Sequence, residues 1–232
     1  RLLRASVGGV VALGGARGLQ ALGSLCAGER WLVAQCLFQH ALYREAEPLL
    51  DELDGSAGRA VPQVEVAFLA GRCAFREGRF DEAAARYRVA LTRASGVERR
   101  AELELHLARA HELAGRPDEA VDAAVRAVAI RPSDDRRLYL ARLRLDQPEQ
   151  ARAGIDRLTG RTARARGALL LANDDLRHGR WEAARRRLEA IQSGPAKGPA
   201  AVLVAGLAVD AGDGASAIRL LDRTAAELDP FW

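Results

Sequence analysis

Apolar residues along this chain return three or four positions apart, and no window alternates strictly between apolar and polar residues. That spacing predicts helices and no strands. The strongest stretch is GRFDEAAARYRVAL from Gly78, echoed by GRPDEAVDAAVRAV from Gly115 and GRWEAARRRLEAI from Gly179. Weaker copies are LYREAEPLLDEL, DQPEQARAGIDRL and GDGASAIRLLDRT. Aligned on the alanine after the acidic residues, they place Ala46, Ala83, Ala120, Ala151, Ala184 and Ala217 at steps of 37, 37, 31, 33 and 33 residues. A recurrence near 34 residues predicts an array of repeated helical units.

Each unit carries two apolar stripes. Four residues after the alanine come Leu50, Tyr87, Ala124, Ile155, Leu188 and Leu221, and seven after it Leu53, Ala90, Ala127, Leu158, Ile191 and Thr224. Offsets of 0, +4 and +7 make one face of one helix. Thirteen residues upstream come Val33, Ala70, Leu107, Leu138, Leu171 and Val204, usually followed by a small residue. Gly78, Gly115, Asp146, Gly179 and Gly212 lie between the stripes and predict a turn, with Ala41 the exception. The unit therefore reads as helix A, tight turn, helix B. Pro117 and Pro148 suit the first turn of helix B, where a missing N–H costs little. Asp81, Glu82, Asp118, Glu119 and Glu149 put negative charge at the same helix N-terminus. The recurring alanine lets the two helices approach closely.

This pattern of small residue, Gly-x-aromatic/Pro-x-x-Ala, an aromatic or aliphatic residue four further on and Ala three after that resembles the tetratricopeptide repeat. The resemblance covers roughly residues 28–232. It is strongest from Val64 to Val97, clear in the units from Ala101 and Ala165, and worn in the first, fourth and last. DDRRLYLARLRLDQPEQ departs most, leaving a short helix A. The resemblance implies an all-α fold, a right-handed α-solenoid of about six antiparallel helix pairs. Residues 1–27 would be an N-terminal helical cap or degenerate repeat, and 28–232 the array. It also implies that A helices line a concave face. The inner-face rows then include Trp31, Phe38, Phe68 and Phe75, expected in the core between repeats, and the polar residues Arg72, Arg76, Arg109, Arg144, Asn173 and Arg177. These six are the candidate partner-binding residues. Arginine forks match carboxylates, which points to an acidic or C-terminal peptide; the competing expectation is that they are solvated or paired with Glu65, Glu102 and Glu112. The Lys/Asn/Arg peptide clamp of some family members is not carried over, because Asn173 is the sole Asn on its row and no Lys joins it.

Composition narrows this picture. Of 232 residues, 49% are hydrophobic, enough for a sizeable core, and the net charge is only +4. Lys197 is the single lysine; every other cation is arginine, without long like-charge runs or interleaved aromatics. That pattern argues for solvated helix faces over a nucleic-acid surface. Cys26, Cys36 and Cys73 form no CxxC and are expected as small core residues. The Gly-rich stretch VGGVVALGGARGLQALGSL is interrupted by Arg17 and reads as neither signal peptide nor membrane span. The chain starts with Arg, so it reads as processed or as part of something longer, and cytoplasm and periplasm stay open as compartments. Phe231 and Trp232 would cap the last apolar face or lead into a further domain.

Catalytic signatures are missing: there is no HExxH, GxSxG or Walker-type loop. His106 and His111 stand five apart on one helix and cannot share a metal. His111 occupies a stripe position, where a buried, hydrogen-bonded ring is expected. Asp174 and Asp175 point about 100° apart and are expected on a solvated edge. No cofactor is expected. The function expected is a non-catalytic scaffold holding a partner peptide or protein in the array's groove. The alternative is a helical-array region of a larger bacterial enzyme, such as a murein lytic transglycosylase, with its catalytic domain elsewhere.

Overall fold

The structure is a computed structural model and describes residues 26–54 and 61–227. The expected cap at 1–27, save its last two residues, and the aromatics Phe231 and Trp232 lie outside the described residues. Among the described residues there are twelve helices and no strand. They form six pairs: α1 (Ala27–Gln39) with α2 (Tyr43–Asp54), α3 (Gln63–Arg76) with α4 (Phe80–Arg93), α5 (Val97–Leu113) with α6 (Pro117–Ile130), α7 (Asp134–Leu143) with α8 (Pro148–Asp156), α9 (Arg161–Arg177) with α10 (Trp181–Glu189), and α11 (Lys197–Asp210) with α12 (Gly214–Glu227). They fall into two compact units divided after Arg131, α1–α6 and α7–α12. The described residues are all-α, arranged in helix pairs.

The register follows the apolar stripes. The six aligned alanines are at most 2% exposed. Ala46 shares a core with Val33, Ala34 and Leu37 of α1, and Ala184 shares one with Ala172 of α9. Helix A and helix B meet where the side chains are smallest. A Cβ placed on Gly71 would stand 2.6 Å from the ring of buried Tyr87, so only glycine admits that ring. Every stripe position on the B helices is buried except Leu221, at 39% exposure on α12. Cys73 belongs to the core as expected, but Cys36 is half-buried and Cys26 is exposed at the start of α1. Cys26 instead stands in the N-cap position, its amide donating to Glu29 Oε2 at 2.9 Å.

Five of the six pairs turn in the same way. In α3–α4 the Arg79 amide donates back to Ala74 O at 2.9 Å and the Gly78 amide to Phe75 O at 3.2 Å. The same two bonds recur at Arg116 and Gly115, Arg180 and Gly179, Asp213 and Gly212, and Leu42 and Ala41. This double bond satisfies the last carbonyls of helix A and requires a left-handed residue between the helices. Gly78 supplies it with φ of 78°. Ala41 is not an exception after all: it adopts φ of 60° and makes the same bonds without being glycine. Asp146 is the real departure. Its unit has no left-handed residue and leaves α7 through a wider four-residue turn, with the Gln147 amide donating to Arg144 O at 2.9 Å.

The charges are more ordered than solvated faces would be. Opposite charges one repeat apart join successive pairs: Arg44 to Glu77, Asp51 to Arg86, Glu65 to Arg99 and Asp81 to Arg116. Each exposed pair contributes about 0–1 kcal/mol, so the ladder aligns neighbours more than it holds them. Asp174 and Asp175 do not form a solvated edge; they are 7% and 2% exposed. Arg180 donates to both, at 2.6 Å each, and Arg187 Nε donates to Asp175 at 2.9 Å. Pointing apart, the two carboxylates still find cations in the following turn and helix, and a buried charge with such partners is tolerated. Burial raises the Asp175 carboxyl, but the hydrogen bonds from Arg180 and Arg187 outweigh it and hold the group below the usual carboxylate range.

Candidate functional site

In the first unit the A helices α1, α3 and α5 bring one polar cluster together. Arg72 leaves α3 with its guanidinium 4.3 Å from the ring centroid of Phe38 on α1 and 5.7 Å from that of Phe68. Arg99, at the start of α5, lies 4.0 Å from the Phe68 centroid. Stacking fixes an arginine plane while leaving its N–H edge available. Phe68 also meets His106 edge-on at 5.0 Å, and His106 lies 5.5 Å from the buried ring of Tyr87. The aromatic rows thus do two jobs: Trp31, Phe38, Phe68 and Phe75 are buried or half-buried, and two of them also carry arginines.

Two of the three carboxylates expected to quench the arginines, Glu65 and Glu102, are engaged by Arg99. Arg99 donates to Glu65 and, at 2.6 Å, to Glu102. Arg72 and Arg76 make no ion pair among the described residues. Burial pushes the Tyr87 phenol above its ordinary range, while Arg72, Arg109 and Arg76 each pull it back. Three cations acting on one phenol means that the structure brings Arg72, Arg76 and Arg109 into one neighbourhood. The Cys73 thiol beneath them is pushed up to about 12, chiefly by burial and next by Glu77, so it stays protonated and unreactive. Burial, joined by Arg109, Arg72 and Arg99 against Glu102, lowers the His106 imidazole to about 4.

The other three candidates, Arg144, Asn173 and Arg177, belong to the second unit. Asn173 and Arg177 stand exposed one turn apart on α9. Arg144 is half-buried after α7, and its Nε is buried without a hydrogen-bond partner among the described residues. Among the described residues no aromatic ring stacks on these three as Phe38 does on Arg72.

Sequence reasoning missed Arg99, His106 and Tyr87 as members of the site. The spacing of opposite charges by one repeat, Glu65 to Arg99, was a readable signal for the first. His111 does what a stripe position predicts: it is 2% exposed, and Arg88 donates to its Nε2 at 3.1 Å. Arginine only donates, so the ring is neutral and carries its proton on Nδ1. Among the described residues no cluster of His, Cys, Asp and Glu could hold a metal, and no helix is long and apolar enough to cross a membrane.

Comparison with known proteins bears on the family. The tetratricopeptide-repeat model matches residues 34–98 and again 68–135. A tetratricopeptide repeat protein from Parabacteroides merdae is similar in structure, with a TM-score of 0.65 at 15% identity over 88% of this chain and 80% of its own. YrrB, a TPR protein, gives 0.56 at 18% identity over 75% of this chain and 91% of its own. PilF of Pseudomonas aeruginosa gives 0.55 at 15% identity over 83% and 93%. No curated protein matches the chain. At these identities the solved structures speak for the fold, and the repeat model speaks for the sequence. Motif, helix-pair architecture and repeat model agree: residues 34–135 carry tetratricopeptide repeats, and the fold of the chain is of that type.

Proposed function

We propose that this scaffold is non-catalytic and holds an acidic segment or free C-terminus of a partner protein on the A-helix face of α1, α3 and α5. Arg72, Arg76 and Arg109 are the anchors. The observation that carries this reading is Arg72: its guanidinium is fixed over Phe38 and Phe68, while Glu65 and Glu102 are held by Arg99. A bidentate carboxylate suits such a fork. YrrB, described as having an unusual peptide-binding site, is a case of this fold taking peptide. In the second unit Arg144, Asn173 and Arg177 are proposed as separate contacts to the same kind of partner.

Charge reversal tests this reading. Acidic peptides captured on beads should retain the wild-type protein and lose the variant carrying Arg72→Glu, Arg76→Glu and Arg109→Glu. All three positions are half-buried or exposed, so the variant should keep its helical circular dichroism. Undiminished capture by that variant would remove the proposed face. Reversal at Arg144 and Arg177 should weaken capture separately if the second unit contributes.

A further inference from the structure

His106 sits between Phe68 of α3 and Tyr87 of α4 and meets rings there, with no hydrogen-bond partner among the described residues. The charged groups around it are Arg72 from α3 and Arg99, Glu102 and Arg109 from its own helix; the Tyr87 phenol faces it from α4. Three cations against one carboxylate, itself bound to Arg99, oppose a fourth positive charge. The anions proposed to bind here would land on two of those cations, Arg72 and Arg109.

We propose that His106 is the proton-accepting member of this site: a carboxylate-bearing peptide seated on Arg72 and Arg109 draws a solvent proton onto the imidazole, so the complex takes up a proton as it forms. The inference rests on the peptide-binding reading above. In the free protein the imidazole titrates near 4, lowered by burial and then by Arg109, so it is neutral at physiological pH. Bound anions reverse the local field, and one opposite charge within about 4–6 Å raises a cationic group's pKa by about one to two units. Since the bound state then holds more protons than the free state, affinity must rise as pH falls. The site would favour its partner in mildly acidic surroundings.

The probe is an acetylated, amidated tetrapeptide of cysteic acid, whose sulfonates stay ionised throughout. Titration calorimetry at pH 8 and pH 5, at fixed ionic strength, should show affinity about two- to tenfold tighter at pH 5. Heats at pH 5 in two buffers of different ionisation enthalpy should differ by the proton taken up. His106→Gln should bind the probe equally at pH 8 and pH 5, whatever its affinity relative to wild type. Ring-proton NMR of His106 in the wild-type protein gives the same answer without a variant: its titration should move upward when the probe is added. Binding that is flat with pH, or pH dependence that persists in His106→Gln, would overturn the inference while leaving the peptide site standing. No binding at either pH would take down both.

Discussion

The pairs α3–α4 and α7–α8 carry the same repeat and close it differently. In α3–α4 both helices have 14 residues, and Gly78 turns the chain in three residues with two backbone hydrogen bonds. In α7–α8 the helices have 10 and 9 residues and the turn has lost its left-handed residue. Close contact between helices demands a small residue on one side and a fixed turn between them, and the second pair shows both. The fourth has relaxed both: a Cβ on Gly154 of α8 would lie 3.6 Å from Ala141, ordinary contact, where one on Gly71 would overlap Tyr87. In the fourth pair the wider turn and the looser fit at glycine occur together, although Ala141 and Ile155 still share a buried core.

Four substitutions sharpen this contrast, each followed by urea unfolding with circular dichroism. Gly71→Ala should destabilise most, by about 1–3 kcal/mol, because the buried ring of Tyr87 has to move. Gly78→Ala meets no atom within 4 Å, so its loss of about 1–2 kcal/mol isolates the cost of a left-handed alanine. Ala41→Gly should do the reverse and stabilise by about 1 kcal/mol, since Ala41 already adopts φ of 60°. Gly154→Ala should stabilise by about 0.5–1 kcal/mol through helix propensity alone. A loss at Gly154 matching that at Gly71 would erase the distinction between tight and relaxed pairs.

The repeat register was legible because it rests on burial, and burial imposes a period: all six alanines and nearly every stripe position are inside. The turns were legible only as a residue preference. The structure shows that the hydrogen-bond pair defines them, so Ala41 keeps the turn without glycine and Asp146 loses it. Asp174 and Asp175 were misjudged because helix angles describe where a side chain leaves the backbone, and their cations arrive from beyond the helix, Arg180 from the turn and Arg187 from the next helix. The candidate face was half legible. Arg72, Arg76 and Arg109 come from one register rule, whereas Arg99 and His106 enter through packing between repeats, which a single-helix pattern does not encode.

A guanidinium resting on two rings has already surrendered most of its freedom to swing. Ordering a long side chain at an interface costs about 0.5–1.5 kcal/mol, and at Arg72 folding has met that cost beforehand. A partner seated there as proposed would meet a mould and not a brush of waving chains.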